Sequence, residues 1–189
     1  MGIGRNGHGH DLRVAMTPRD GLRSVVYAAE AQWSAAMDRG GKVDFFGSSM
    51  TLPCQRRFAD LPSMQAYCDG VMSLSAVASR YSQAGPVRVR VRAGAAKAHY
   101  EHDQRVIAIP LAPQAGASVS WAGRESVLLH ELSHHLVMGD AVSLGDAHHG
   151  TSFTTTMCWL VDEVLGPQSA LLLRSGYQAA GVQVGSYVG

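Results

Sequence analysis

The order of patterns along the chain predicts an α+β fold, a small sheet set between runs of helix. Three observations carry this reading. Apolar residues recur at helical spacing before residue 82 and again after residue 122. Between them, Val87-Arg88-Val89-Arg90-Val91-Arg92 alternates with a period of two, the mark of a half-buried strand. The length, 189 residues with 46% hydrophobic and 16% charged content, suits one domain built on one core. The expected organisation is a flexible Gly-, Arg- and His-rich lead-in over 1–16, a single domain over 17–182, and a tail over 183–189.

Each element follows from local signals. Thr17-Pro18-Arg19-Asp20 predicts a capped helix start with Pro in the first turn. Leu22, Val25, Val26, Ala29, Trp33, Ala36 and Met37 then keep helical spacing as far as Gly40-Gly41. Residues 42–46 predict a short strand leading into Gly47-Ser48-Ser49. A second helix starts near Pro62 and runs toward Tyr81, and Gly70 in its middle allows two shorter helices instead. After the alternating strand, 98–101 and 106–109 predict two more, joined around His102-Asp103-Gln104. The sheet is expected to be mostly antiparallel. A Pro/Gly/Ala/Ser loop over 113–120 precedes a helix over about 123–138. Phe153, Met157, Leu160, Val161 and Val164 mark the next helix, which stops at Gly166-Pro167, and a short helix over 168–175 follows. Trp33 and Trp121 are expected in the core, with Cys68 as a small buried hydrophobe.

Composition excludes several classes. A formal net charge of +1 removes bulk attraction to nucleic acid or to a membrane surface. The Arg88, Arg90, Arg92 stripe reads as a solvated sheet face, its aliphatic stems covering Val neighbours, rather than as a row of phosphate contacts. Three cysteines, none in a Cys-x-x-Cys, do not make a disulfide framework. The first residues lack the apolar core of a secretion signal. The most apolar stretch, 127–138, is interrupted by His and Glu, so no bilayer span is expected. These features predict a cytoplasmic setting. One count stands out: nine histidines against two lysines, with five of the nine between His130 and His149.

His130-Glu131-Leu132-Ser133-His134 is an H-E-x-x-H within a predicted helix. Residues four apart share a helix face, so both imidazoles can reach one ion, while Glu131 is turned aside to meet a metal-bound water without being a ligand. Leu128, Leu129, Leu132 and Leu136 give the helix an apolar remainder to bury. Two histidines leave a divalent ion short of its usual three protein ligands. A distal carboxylate would be Glu163, but Asp146-Ala147-His148-His149-Gly150 offers a better source. The fourteen residues between His134 and His149 suffice to leave the helix, turn and return to its face. Gly150 allows close backbone approach beside a ligand, and Phe153 and Met157 can anchor the next helix beneath the site. Those neighbours favour His149 over His148 as third ligand. Three imidazoles favour zinc. Asp146 could hold a ligand imidazole by its second nitrogen or cap the loop, and His135 points away from the ligand pair. Tyr100, with His99 and His102, is a candidate donor to a developing oxyanion. One of the segments 98–101 and 105–109 is expected to form an edge that could add an extended peptide as a strand.

The pattern His130-Glu131-x-x-His134 followed by His149-Gly150-x-x-Phe153-x-x-x-Met157 resembles the zinc-ligand set of SprT-like metalloproteases. A closer resemblance, over more of the chain, is to a family of actinobacterial H-E-x-x-H metallohydrolases of unassigned substrate. It is carried by Val26-Tyr27-Ala28-Ala29-Glu30, Val43-Asp44-Phe45-Phe46-Gly47, Arg57-Phe58-Ala59-Asp60-Leu61, Ala98-His99-Tyr100-Glu101 and the stretch from Arg124 to His135. The chain departs from SprT-like proteins in having no Cys-based nucleic-acid module. The resemblance implies a zincin-like α+β domain, a small sheet packed on helices that include the H-E-x-x-H helix. The expected function is a zinc-dependent hydrolase, best read as a metallopeptidase acting on peptide or protein, in which Glu131 activates a zinc-bound water to attack an amide carbonyl. Two other readings stay open: a nucleic-acid-associated SprT-like protease or binding protein with a structural zinc, and an amidohydrolase acting on a small amide.

Overall fold

Helix α4 (Glu125–Met138) is buried nearly all round, and this places it at the centre of the domain. Leu128, Leu129, Leu132 and Leu136 are fully enclosed, and so are the polar Glu125, Ser133 and His135. A helix with polar groups inside must be covered on every side by elements that answer them. The computed structural model describes residues 20–93, 97–111, 121–138 and 146–186. Within them, α5 (Thr151–Leu165) packs most extensively on α4, the three-stranded sheet described below also lies against it, and α6 (Pro167–Ala179) packs on both α5 and α1 (Arg23–Arg39). The lead-in over 1–16, the expected helix cap at 17–19, the whole 113–120 loop and the end of the tail lie outside the described residues.

The architecture is α+β, with two small sheets. Strands β1 (Gly41–Phe45) and β2 (Ser48–Leu52) form an antiparallel hairpin. Its turn, Phe46-Gly47, holds both residues at positive φ, 50° and 78°, the geometry a two-residue hairpin turn needs to match strand twist. Asp44 accepts a hydrogen bond from the Gly47 amide at 3.2 Å. The sequence reading had no strand over 48–52. Ser48, Ser49 and Thr51 are polar, and Phe-Gly is not among the dipeptides that announce such a turn.

The second sheet has the order β3-β5-β4, from β3 (Arg88–Val91), β5 (Val106–Ile109) and β4 (His99–Glu101). All four β5 residues are buried, as a central strand covered on both faces requires. β4 runs antiparallel to β5, but β3 runs parallel to it, so this sheet is mixed rather than mostly antiparallel. Helix α2 (Leu61–Met72) lies against β3, and the Gln65 amide closes that edge by donating to the Val87 carbonyl at 3.0 Å and accepting from the Val89 amide at 2.8 Å. β4 is the other edge.

Several boundaries differ from the sequence reading. Helix α1 begins at Arg23, with Leu22 at its N-cap and no side-chain cap. The break after α2 falls at Ser73-Leu74, not at Gly70, and α3 (Ser75–Arg80) follows. Helix α6 continues through Gly176 to Ala179, since the wholly buried Tyr177 offsets the cost of about 1 kcal/mol for a helical glycine. Trp33 and Cys68 are in the core, whereas Trp121 is 37% exposed. None of the three cysteines forms a disulfide, and burial pushes the Cys68 and Cys158 thiols up to about 12. Among the described residues, no helix is long and apolar enough to cross a membrane.

Candidate metal centre

Helix α4 presents His130 and His134 one turn apart, and the turn entering α5 presents His149 against them. The Nε2 atoms of His134 and His149 lie 3.2 and 3.4 Å from that of His130. All three ligating nitrogens fall within 4.8 Å of one another, an arrangement that could hold a metal ion.

The outward nitrogens explain why the inward ones are available. Nδ1 of His130 meets the Glu30 carboxylate of α1 at 2.7 Å, and Nδ1 of His149 meets Asp20 at 2.7 Å. A carboxylate only accepts, so in the neutral rings each Nδ1 carries the proton and each Nε2 presents a lone pair. Two lone pairs facing each other at 3.4 Å repel unless a cation lies among them. The donor set therefore fits a divalent ion with three neutral imidazole ligands. Glu30 is itself held from α6, where the Tyr177 hydroxyl donates to it at 2.5 Å. Asp146 does not take this role. Its carboxylate accepts from the Ala147 amide at 2.8 Å and the Ser152 amide at 2.9 Å, capping the entry to α5.

Aromatic packing fixes the ring positions. Phe153 touches all three imidazoles, at centroid distances of 4.8 Å to His130, 4.4 Å to His134 and 5.0 Å to His149. Tyr27 stacks on His130 at 5.1 Å. Met157, below Phe153, accepts from the Ser133 hydroxyl at 3.3 Å. His148, the competing third ligand, is exposed, with its ring 6.5 Å from that of His134. Glu163 is exposed near the opposite end of α5, about 20 Å along the helix from its start at 1.5 Å per residue.

Burial holds the His134 imidazole well below its ordinary pKa, and the neighbouring His130 and His149 add to this. His149 is lowered by burial and partly restored by the hydrogen bond it donates to Asp20. At His130 burial also disfavours the charge, but the charge and hydrogen bond of Glu30 outweigh it and raise the net value. Glu131 is 3% exposed. Burial pushes its carboxyl up to about 7, with the Glu30 charge adding, the His130 charge opposing, and a hydrogen bond from the Tyr100 backbone also opposing. A carboxyl near 7 is matched to taking and returning a proton at neutral pH.

Tyr100 thus touches the site through its backbone, not through its phenol. The hydroxyl lies 2.9 Å from Nδ1 of His135, and Nε2 of His135 lies 3.0 Å from the Gly85 carbonyl. Because a carbonyl only accepts, Nε2 is the donor, Nδ1 accepts, and the phenolic proton is spent on His135. Neither His99 nor His102 replaces it: His99 is engaged with Glu101 at 3.2 Å, and His102 is exposed beside Asp103. The arginine stripe is partly consumed inside the sheet. Arg90 reaches over β5 to Glu101, and Arg92 donates to the Lys97 carbonyl at 2.6 Å.

Glu30, Asp20, Tyr27 and Tyr177 are the site residues that the sequence reading missed. Glu30 had a signal: it falls on the inner face of α1 between Val26 and Trp33, an acid among apolar positions. Asp20, in a short turn before α1, had none. No family model, curated protein or solved structure matches the chain.

Proposed function

We propose that the protein is a zinc-dependent, zincin-like hydrolase of amide bonds, and that a peptide is its substrate. The observation that supports this most is the convergence of three inward imidazole nitrogens beside a buried Glu131 that is not one of them. His130, His134 and His149 would hold the ion, which when bound would make a water acidic enough to act near neutral pH and would polarise a carbonyl. Glu131 takes the proton from the attacking water and returns it to the departing amine. The Tyr100 backbone orients its carboxylate, and Glu30 and Asp20 keep two of the imidazoles in the ligating tautomer. β4, an edge strand whose Tyr100 reaches Glu131, is suited to adding an extended peptide alongside. The Arg90 and Arg92 contacts within the sheet weigh against a phosphate-binding role for that stripe.

The test is metal content joined to hydrolysis. Purified wild-type protein is expected to take up one zinc, and His149→Ala to lose most of that affinity. Glu131→Gln should retain the metal and lose about 10²- to 10⁴-fold in peptide hydrolysis, read by mass spectrometry on a mixed peptide pool. Wild-type rates in Glu131→Gln, or full zinc affinity in His149→Ala, would overturn the proposal.

A further inference from the structure

We propose that the pocket beside Glu131 receives the part of the substrate that carries a carboxylate on an apolar body, with Lys97 and Arg124 holding that carboxylate. This rests on the hydrolase reading above and names the class of amide the site takes.

The pocket is made by small residues. Ala31, Ser34 and Ala35 stand at i, i+3 and i+4 on α1 and face Val127 of α4, leaving a cavity of about 390 Å³. Tyr27 and Trp121 flank it, and it ends on His130 and Glu131. This volume is within the range of small-ligand sites and admits a benzyl-sized group with its polar end.

Its polar groups are unequally spent. Glu30 is committed to His130 and Tyr177. The Ser34 and Ser126 hydroxyls bond one another at 2.8 Å, and Gln55 donates to Ser34 at 2.9 Å. The cations are not balanced in the same way. The Lys97 ammonium sits 4.5 Å from the centre of the Tyr27 ring, and no carboxylate lies within ion-pair distance of it among the described residues. Arg124 and Arg57 share the single carboxylate of Asp38, at 3.1 and 2.8 Å, which leaves one positive charge over. The Arg124 Nε–H is buried without a partner. An apolar cleft with two surplus cations complements an anion on a hydrocarbon body. Lys97 also precedes β4, the strand whose Tyr100 contacts Glu131, so the anion would sit next to the amide being cut. That carboxylate can be the C-terminus of a peptide or the side chain of an internal acidic residue.

Binding to metal-free protein tests the pocket apart from catalysis. N-acetylphenylalanine is titrated by NMR against its amide, which differs only in lacking the charge. The acid is expected to bind at least fivefold more tightly. Lys97→Met, at an exposed position, should cut that preference to below twofold. Ala31→Leu, also exposed, should weaken both ligands tenfold by filling the cleft, with circular dichroism confirming the fold. Equal binding of acid and amide, no binding of either, or a preference unchanged in Lys97→Met would overturn the proposal. The two sources separate in the zinc-loaded protein. Cleavage of peptides with a free C-terminal carboxylate but not of their amides identifies the terminus; cleavage beside internal Glu identifies the side chain. Selective binding with no hydrolysis of any amide upholds the pocket and refutes the hydrolase. Hydrolysis indifferent to both Ala31→Leu and the carboxylate refutes the pocket.

Discussion

Glu30→Gln removes a charge from the centre while preserving the shape of the side chain that supports His130. The carboxylate receives two donors, Nδ1 of His130 at 2.7 Å and the Tyr177 hydroxyl at 2.5 Å. An amide has only one acceptor oxygen. If it keeps His130, its NH₂ faces Tyr177, whose hydroxyl can rotate to accept, so the ligating tautomer survives. The charge does not. Charge-assisted hydrogen bonds are about twice as strong as neutral ones, and loss of such a partner behind a metal-bound imidazole typically costs about 10- to 100-fold in metal affinity. That corresponds to about 1.4–2.8 kcal/mol. Zinc affinity is read by competition with a chromogenic chelator at neutral pH. The stability of the metal-free protein is measured beside it, because taking a buried charge away can leave the empty fold as stable as before or more so. Weakened zinc binding with an undiminished metal-free melting temperature is the expected pair. Zinc affinity within twofold of wild type would refute the claim that Glu30 tunes the ligand. A fall in both quantities together would show that Glu30 matters to folding rather than to the metal.

Glu131 sets a pH dependence whose sign is fixed by burial. Its carboxyl is held at about 7, against an ordinary 4.5, so folding favours the protonated form. The associated stability is complete below pH 4.5 and is lost as pH rises through 7, a difference of about 3 kcal/mol. The gap in urea stability between metal-free Glu131→Gln and wild type should therefore change little below pH 4.5 and move by about 3 kcal/mol in the variant's favour by pH 8; a gap that does not widen with pH rejects the burial argument. At Gly150, an added Cβ would lie 2.1 Å from Oδ1 of Asp146. Gly150→Ala must displace the cap at the entry to α5 and, with it, His149. The expected cost is about 1–3 kcal/mol with weakened zinc binding, and a variant that melts and binds zinc as wild type would show that the turn has room to spare.

Much of the centre was legible because its information is local. The spacing of His130 and His134 places both on one helix face whatever surrounds them, and His149 was marked by its own neighbours, Gly150 and Phe153. The apolar spacing of Val26, Ala29, Trp33 and Met37 likewise announced the inner face of α1. The supporting carboxylates were not legible. Glu30 and Asp20 lie 100 and 129 residues from the histidines they hold, and no local pattern states which acid will meet which ring. Tyr100 shows the same limit in another form. A phenol near the site suggested an oxyanion donor, but its proton is taken by His135, whose tautomer is set by a carbonyl 50 residues away.

By itself the sequence determined the helix periods, the alternation of the strands and the histidine spacing, since each depends on backbone geometry repeated over a few residues. Tertiary structure decided the rest. The parallel pairing of β3 with β5 departs from the antiparallel sheet expected, because alternation marks a strand without giving it a direction. The same holds for the choice of Asp20 over Asp146 behind His149, and for the cleft between α1 and α4. These depend on which surfaces meet when one core closes around α4, and that is a property of the packed whole.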